Sequence, residues 1–387
     1  MKLAAKRLMG GWERCVLCLP LLAAVFAVSA PAQSPAARFD TLAGAAGEAR
    51  AANRRNEAAD LYRQALRLRP SWAEGWWSLG TLLYDQDDYS GAAAALRKAT
   101  ALNPAAGRGW AMLGLCEAKL GREQAAMEHI DKGWKLGIGS DPEMARVVLF
   151  TRANLLLDAG RFGEAQDVLG KLARDGAGEE ELILALGLSV LGLKPDALAS
   201  ADTASRSVIR RAGWAEHLSA RGRFQAAEVE YSTLAGSAPK FHNVQFAYGR
   251  FLLAHQENDR AVAAFQREIE NTPNHLLARL GIAGIKHLSD PAAGLPYAEQ
   301  AVKLAPALPE AHYLLGLLLA DTGDAARAIP ELETARRGAP EESKIYLALS
   351  RAYAAAGRKD DARRARATLE RLSRSGEQDA ARQGQVQ

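Results

Sequence analysis

The chain has 387 residues, of which 48% are hydrophobic and 24% charged, a composition that is ordinary for a soluble folded protein. Of its 49 basic and 45 acidic side chains, four basic and one acidic lie in residues 1–32, which leaves 45 and 44 in the rest. Such a near-neutral remainder lacks the positive charge that drives binding to phosphates, so no nucleic-acid partner is expected.

The N-terminal leader predicts export. Residues 1–14 are basic, residues 15–30 form an apolar run interrupted by Pro20, and Ala30-Pro31-Ala32 offers small residues where signal peptidases cleave. The run is shorter than the roughly 20 residues of a membrane span. We therefore expect a signal peptide over 1–32, and an exported protein that is periplasmic or associated with the envelope of a bacterium. The alternative is an uncleaved leader that anchors the chain in the inner membrane.

The sequence has three cysteines, and two of them, Cys15 and Cys18, belong to the leader. Neither follows the apolar run as a lipid-attachment cysteine would. Removing the leader leaves Cys116 alone, so no disulfide within the chain is expected even in an oxidising compartment. Cys116 is predicted to be a small buried apolar residue.

The stretch 73–106 contains two apolar stripes at helical spacing. The first comprises Trp76, Leu79, Gly80 and Leu83, and the second comprises Ala92, Leu96 and Ala99, followed by Pro104. The polar residues 85–88 separate the stripes, so the unit is a helical hairpin. Small residues at Gly80 and Ala92 allow the two helices to approach closely where they cross.

This placement of large, small and proline residues at a period of 34 resembles the tetratricopeptide repeat (TPR). The resemblance implies an all-α fold, a right-handed α-solenoid of about ten TPR helical hairpins with a concave groove, because a single hairpin cannot bury its own apolar face. The units are predicted near 39–72, 73–106, 107–142, 143–179, 180–207, 208–241, 242–275, 276–308, 309–342 and 343–372.

The fifth and last units of the array depart from the pattern, and a short segment flanks the array on each side. The unit 180–207 looks truncated, because a Lys194-Pro195-Asp196 turn and a polar run from Asp202 replace a normal second helix, so the stacking there is predicted to be irregular or bent. The last unit has Arg366 at an apolar position, as expected of a terminal repeat that faces water. Residues 33–38 are predicted to be a short linker, and residues 373–387 a disordered polar tail.

The family resemblance also implies which residues line the groove, namely those at positions 2, 5, 9, 12 and 13 of each first helix. On this register the candidate partner-binding residues are Trp77, Thr81, Tyr84, Phe150, Asn154, Phe246, Arg250, Tyr313 and Leu317. Aromatic residues recur at position 5. They either form a partly exposed row that grips a peptide or a helix, or only pack against the adjacent repeat.

No catalytic, metal or cofactor signature is recognisable. The seven histidines are dispersed without a pair at spacing three or four, and no phosphate-binding glycine loop is present. No unit has the Lys and Asn pair with which some TPR proteins clamp a C-terminal carboxylate. The arginines around Arg363 and Arg364 are either a solvated terminal face or a contact for an acidic partner or lipid headgroups.

These observations favour a non-catalytic protein-interaction scaffold that binds peptide or helical segments of partner proteins in the cell envelope. The expected partners are proteins or peptides, without a small-molecule cofactor and with peripheral envelope association. The alternative is an accessory or assembly subunit of an envelope enzyme or secretion complex.

Overall fold

The computed structural model describes residues 34–138 and 141–384, with side chains described as far as Ser375. The predicted signal peptide, its cleavage point and its two cysteines lie outside the described residues. Within the described ranges the chain forms twenty α-helices and no β-strand, which confirms the all-α prediction.

The helices follow the chain in pairs, and their bounds are as follows. They are α1 (Pro35–Ala51), α2 (Arg55–Leu68), α3 (Ala73–Tyr84), α4 (Tyr89–Leu102), α5 (Gly107–Lys119), α6 (Glu123–Leu136), α7 (Pro142–Asp158), α8 (Phe162–Arg174), α9 (Glu180–Leu191), α10 (Pro195–Ser200), α11 (Thr203–Ala220), α12 (Phe224–Ser237), α13 (Val244–Ala254), α14 (Asn258–Asn271), α15 (Leu276–Ser289), α16 (Pro291–Leu304), α17 (Pro309–Asp321), α18 (Ala325–Gly338), α19 (Ser343–Ala355) and α20 (Lys359–Gly384). With the exception of the region around α10, odd-numbered helices are the first helices of hairpins and even-numbered helices the second.

Each regular hairpin closes around a small residue in its first helix. A Cβ atom added at Gly80 would lie 2.7 Å from Leu96 Cγ, and one at Gly316 would lie 2.6 Å from Leu332 Cγ. No side chain fits there without displacing its neighbour. The turn between the helices needs a left-handed residue, as at Gly160 with φ of +71°.

The core is divided among neighbouring repeats. Buried residues form successive clusters along the array, and each cluster draws on hairpins that follow one another in the chain. Ala58, Ala92, Ala126 and Ala165 are completely buried at equivalent positions of four second helices. Each repeat therefore depends on the next for its apolar environment, as expected of a solenoid.

The two ends of the array differ from the predicted boundaries. The first helix begins at Pro35, inside the predicted linker, because Ser34 caps it by accepting a hydrogen bond from the Ala37 N–H at 3.2 Å. At the other end, the prediction of disorder from residue 373 is wrong as far as Gly384, because α20 continues to that residue. The segment contains no proline, and its alanine, arginine, glutamine and glutamate residues favour a helix.

The predicted boundary between residues 207 and 208 is also wrong, because it falls inside α11. In this region α10 has only six residues and buries none of them. The helix that packs against α9 is α11: a Cβ added at Gly187 would lie 1.9 Å from the Ile209 carbonyl oxygen, and one at Gly213 would lie 1.7 Å from that of Ile183. These contacts pair residues in opposite order, so α9 and α11 are antiparallel like the two helices of a hairpin.

Helix α11 therefore belongs to two hairpins. It serves as the second helix for α9, and it also packs extensively against α12 as the first helix of the next hairpin. Its 18 residues exceed the 12–14 of most other helices in the array and are enough for both contacts. We call this dual-role helix and its contact with α9 the junction.

The junction reverses the direction of the first helices. Before it, the starts of consecutive first helices are neighbours, since Arg108 at the start of α5 contacts Asp141 at the start of α7 at 2.8 Å. After it, Asn243 at the start of α13 donates its Nδ2–H to the Leu191 carbonyl, at the end of α9, at 2.8 Å. The first helices of the C-terminal half therefore run opposite to those of the N-terminal half.

A partly buried network of polar side chains connects the helices of the junction. Glu216 of α11 accepts hydrogen bonds from Tyr231 Oη and from Gln166 Nε2, each at 2.8 Å. Gln166 in turn accepts from Arg250 Nη1 at 3.0 Å. The last of these bonds joins α8, a second helix of the N-terminal half, to α13, a first helix of the C-terminal half.

The junction also contains a buried histidine. His217 on α11 is 3% exposed and stacks on Trp214 with ring centroids 5.2 Å apart. Its Nδ1 has no hydrogen-bond partner among the described residues. Burial lowers the pKa of His217, and the positive charges of Arg221 and Arg223 lower it further, so the imidazole is neutral at pH 7.

Candidate functional site

Three of the predicted groove residues meet at one concave site. Tyr84, Phe150 and Asn154, from α3 and α7, line a cavity of about 400 Å³. Lys119 of α5 and Leu182 of α9 complete its wall, so four consecutive first helices contribute. We call this cavity the N-terminal groove.

The apolar part of the groove comes mainly from α7. Val147 is 40% exposed and Phe150 is half-buried, while Leu182 lies buried beneath them. An apolar residue with this much exposure in a concave site can still gain free energy when a ligand covers it, at about 25 cal/mol per Å² of apolar surface. The groove thus offers a place for an apolar side chain of a ligand.

Polar side chains surround this apolar surface. Asn154 and Thr151 point into the groove, and neither makes a side-chain hydrogen bond within the described residues, so both can bond to a ligand backbone. Burial raises the pKa of Tyr84, with Cys116 and two nearby aspartates adding to the effect, so its hydroxyl remains protonated and able to donate. The combination fits an extended peptide, whose main chain needs both donors and acceptors.

Ion pairs link the helices that form the groove. Arg146 at the start of α7 contacts Glu179 at the start of α9 at 2.5 Å, just as Arg108 contacts Asp141 one repeat earlier. All four side chains are more than a third exposed, so each pair contributes at most about 1 kcal/mol. Their role is to fix the spacing of the repeats more than to stabilise the fold.

Trp77 and Thr81 lie on the same first helix as Tyr84 but do not line the cavity. Trp77 is half-buried and packs with the cluster formed by the first three hairpins. Thr81 donates its hydroxyl to the Ser78 carbonyl of its own helix at 3.1 Å. For Trp77 the structure therefore places the ring against the adjacent repeats, with part of it still accessible.

Phe246 and Arg250 lie beyond the junction. Phe246 is only 8% exposed, and its ring packs against Phe265 and His275 with centroids 5.6 and 4.7 Å away. It is a core residue, so the predicted partly exposed row of aromatics does not extend to it. Arg250 is exposed and hydrogen-bonded to Gln166.

Tyr313 and Leu317 lie on α17 and are both half-buried. Lys344 Nζ from α19 lies 5.0 Å from the centre of the Tyr313 ring. The nine predicted residues therefore do not form one site, since only Tyr84, Phe150 and Asn154 line the N-terminal groove and Phe246 lies in the core. Register alone could not distinguish the residues that line the groove from the others, since the 34-residue pattern is the same in both halves.

The register did contain a signal for groove residues that the sequence analysis did not select. Lys119 occupies position 13 of the third unit and Val147 position 2 of the fourth, which are groove positions. The selection took only some of the groove positions and left out these two neighbours of Phe150. Arg146 and Glu179 lie at the helix starts, outside those positions, and only the fold brings them to the rim.

Other types of site were also considered. Among the side chains that the structure describes, in residues 34–138 and 141–375, no three His, Cys, Asp or Glu groups come together in a way that would hold a metal ion. Among the helices described, none combines the length and the apolar character that a bilayer crossing requires. Cys116 is buried as predicted, and burial raises the pKa of its thiol to about 12, which makes it unreactive.

Comparison with known families identifies the repeats. A family model described as "Tetratricopeptide repeat" matches residues 44–99, 79–133, 212–275 and 288–341, which together are more than half of the chain, and a second model with the same description matches 319–386. The chain belongs to the tetratricopeptide repeat family. The α-solenoid prediction is thereby confirmed, and TPR repeats support a role in protein interaction. The interval 134–211 that no match covers contains α9, α10 and the start of α11, where the repeat is irregular.

Several solved structures resemble parts of this TPR chain. "MamA RS-1 ArsTM double mutant" is 22% identical, covering 44% of this chain and 96% of its own, with a TM-score of 0.42. "MamA 41-end from Desulfovibrio magneticus RS-1" is 24% identical, covering 43% and 96%, with a TM-score of 0.39. The structure of "APC/C hetero-tetramer Cut9-Hcn1" is 13% identical, covering 87% and 88%, with a TM-score of 0.35. Among curated proteins, none matches the chain.

Proposed function

We propose that this TPR protein is a non-catalytic scaffold that binds an extended segment of a partner protein in the N-terminal groove. The observation that carries the proposal is the convergence of Tyr84 from α3 with Phe150 and Asn154 from α7 on one cavity. An apolar side chain of the ligand inserts against Val147 and Phe150, and its backbone bonds to Asn154. Family membership supports protein binding in general, and the groove supports this particular mode.

Binding in such a groove does not require the protein to reorganise. Each helix of the groove is held by packing within its own repeat, and ion pairs link α5 to α7 and α7 to α9, so the binding side chains are positioned in advance. The ligand then carries most of the ordering cost, which favours short segments with one or two apolar anchors. We expect moderate affinity and strong dependence on the anchor residue.

The leader supports a location for this activity. Its basic start, apolar run and Ala30-Pro31-Ala32 sequence are typical of a signal peptide, and we propose that the mature chain works in the periplasm or at the envelope. Sequencing the N-terminus of the protein purified from its own host tests this proposal. A mature chain that begins at Gln33 is expected, whereas a chain that retains residues 1–32 would indicate the anchored alternative.

Photo-crosslinking tests the groove itself. A benzophenone amino acid is placed at Val147 in the groove and, as a matched control, at Val229 on α12, which is 62% exposed and far from the groove in sequence. Crosslinks to a defined partner at Val147 that are absent at Val229 are expected. They should disappear when Asn154→Ala is added, because the backbone contact is lost.

The same set of crosslinked products at both positions would contradict the proposal, as would a Val147 crosslink that Asn154→Ala leaves intact. Circular dichroism of each variant confirms that the repeats remain folded. Because Asn154 makes no side-chain hydrogen bond within the described residues, its replacement is not expected to destabilise them.

A further inference from the structure

The positive charge of the chain is concentrated in its first hairpin. Residues 33–387 contain 45 basic and 44 acidic side chains, whereas residues 35–70, which include α1 and α2, contain seven basic and four acidic ones. All seven basic residues of this hairpin are arginines. Because the planar guanidinium group presents donors in a fork that matches the oxygens of a phosphate, the hairpin is well suited to bind anions.

A cleft between α1 and α2 collects three of these arginines. Arg38 of α1 and Arg63 and Arg67 of α2 line an open cavity of about 370 Å³. The other residues that line it are Leu42, Asp60, Gln64 and Leu68. We call this cavity the arginine cleft. It is formed by the first hairpin alone and shares no residue with the N-terminal groove.

Two of the three arginines have no anionic partner within the described part of the chain. Arg63 forms an ion pair with Asp60 at 3.0 Å, and Asp60 is the one carboxylate of the cleft. The side chains of Arg38 and Arg67 are exposed and make no hydrogen bond or ion pair among the described residues. The arginine cleft therefore has an excess of positive charge, and two guanidinium groups are available to a phosphate.

Apolar side chains lie beside these two guanidinium groups. Leu68, the last residue of α2, is 39% exposed, and Leu42 is half-buried. An inorganic phosphate ion would use the arginines but would gain nothing from the leucines. A phospholipid uses both, because its charged headgroup is joined through glycerol to hydrocarbon that gains free energy when apolar surface covers it.

The arginine cleft lies at the end of the hairpin that follows the leader. Arg38 comes three residues after Pro35, the first residue of α1, which is about 5 Å along the helix axis. The end of α2 lies at the same place, because Leu68 lines the cleft and Arg69 lies 3.6 Å from the centre of the Phe39 ring. A leader retained in the inner membrane would keep this end at the bilayer, and a chain without its leader would need an attachment of its own.

We propose that the arginine cleft binds the headgroup of an anionic phospholipid and thereby attaches the N-terminal end of the array to the membrane surface. Arg38 and Arg67 pair with the phosphate, and Leu42 and Leu68 contact the glycerol backbone and the first methylene groups. The inference goes beyond the proposed scaffold function, because it leaves the N-terminal groove free for a protein ligand while the end of the array is held at the membrane.

Vesicle binding tests the inference. The chain that begins at Gln33 is mixed with vesicles of phosphatidylcholine, with or without phosphatidylglycerol, and binding is measured by co-sedimentation. Binding to the vesicles that contain phosphatidylglycerol should be tighter by about tenfold or more, because the surface charge attracts each arginine by about fivefold. The doubly substituted Arg38→Gln, Arg67→Gln variant should lose about tenfold or more of this binding.

The doubly substituted Arg50→Gln, Arg267→Gln variant is the matched control. Both arginines are exposed, their side chains make no hydrogen bond or ion pair among the described residues, and their replacement removes the same charge. Arg50 lies about 18 Å from Arg38 along α1, beyond the screening distance of about 10 Å at 0.1 M salt. The control should bind like the wild type, and circular dichroism verifies that both variants remain folded.

A fluorescent probe locates the contact. Cys116 is buried and its thiol is unreactive, so a cysteine introduced into the chain that begins at Gln33 is labelled selectively. A probe attached through Ser71→Cys lies three residues beyond Leu68, whereas one attached through Asn56→Cys lies about 18 Å away towards the start of α2. Lipids with a quencher on the headgroup should quench the probe at residue 71 much more strongly.

Equal binding to the two kinds of vesicle, full binding by the cleft variant, or equal quenching of the two probes would overturn the inference. An equal loss in the control variant would do the same, because it would indicate a general attraction between charges. Calorimetry that detects glycerol phosphate bound through Arg38 and Arg67, without any binding to vesicles, would replace the lipid with a soluble phosphate ligand. None of these results affects the crosslinks expected in the N-terminal groove, which are measured without membranes.

Discussion

The contact between α9 and α11 allows a sharp test of the junction. Two glycines, Gly187 and Gly213, bring the helices together so closely that a Cβ at either position would lie within 2 Å of a backbone carbonyl oxygen on the other helix. Real Cβ contacts are not found below 3.0 Å. Replacing Gly187 with alanine must therefore move one helix by about 1 Å, because the obstructing atom belongs to the backbone and cannot rotate away.

Two opposing effects determine the magnitude. Alanine favours a helix over glycine by about 1 kcal/mol. Overpacking costs about 1–3 kcal/mol or more, and here both helices lose dispersion contacts along their length when they separate. We expect Gly187→Ala to lower the free energy of unfolding of the junction by about 1–2 kcal/mol, and Gly213→Ala to do the same. The double variant should cost less than the sum, because the first alanine already opens the interface for the second.

Hydrogen exchange followed by mass spectrometry is the suitable assay, because a solenoid of this length need not unfold in one step. Faster exchange in α9 and α11, with little change in α3 and α17, is expected. Gly47→Ala is the matched control, since a Cβ there meets no atom within 4 Å. It should stabilise α1 by about 0.5–1 kcal/mol. Protection of α9 and α11 that equals or exceeds the wild type in Gly187→Ala would refute the assigned geometry.

Three further predictions concern stability. Because the pKa of buried His217 is lowered, the unfolded chain binds a proton at this residue more readily than the folded chain does. The free energy of unfolding should therefore fall as the pH drops below about 6.5, the unperturbed pKa. Denaturation between pH 7 and 5 should show a smaller fall for His217→Phe than for the wild type, whereas the exposed control His242→Phe should show the wild-type fall. Phe246→Ala should lower the free energy of unfolding by about 3–5 kcal/mol, measured by thermal unfolding, and Phe150→Ala should lower it clearly less because Phe150 is only half-buried. Equal losses would contradict the assignment of Phe246 to the core. Glu117 is 1% exposed and accepts hydrogen bonds from two arginines. Glu117→Ala should therefore lower the free energy of unfolding by about 1–3 kcal/mol, measured with a chemical denaturant. An unchanged denaturation midpoint would argue against these hydrogen bonds.

The buried carboxylate of Glu117 also illustrates what a sequence pattern leaves out. Its position on α5 follows from the repeat, but its carboxylate is paired by Arg97 of α4 and by Arg122 in the turn after α5, and the repeat pattern indicates neither pair. The same holds for the N-terminal groove, where the sequence indicated Tyr84, Phe150 and Asn154 but not Lys119 or the rim ion pairs. Patterns of spacing describe one helix at a time, whereas a site is formed by side chains from several.

The sequence by itself determined the type of protein. Recurring apolar stripes, small residues such as Gly80 and prolines at a period of 34 are local features, and each hairpin is determined by residues close together in the chain. Only the tertiary structure decided how the hairpins join. The pairing of α9 with α11 passes over the short α10, so it depends on contacts between residues such as Gly187 and Gly213 that no local pattern connects. That one long-range contact sets the direction of the first helices that follow it.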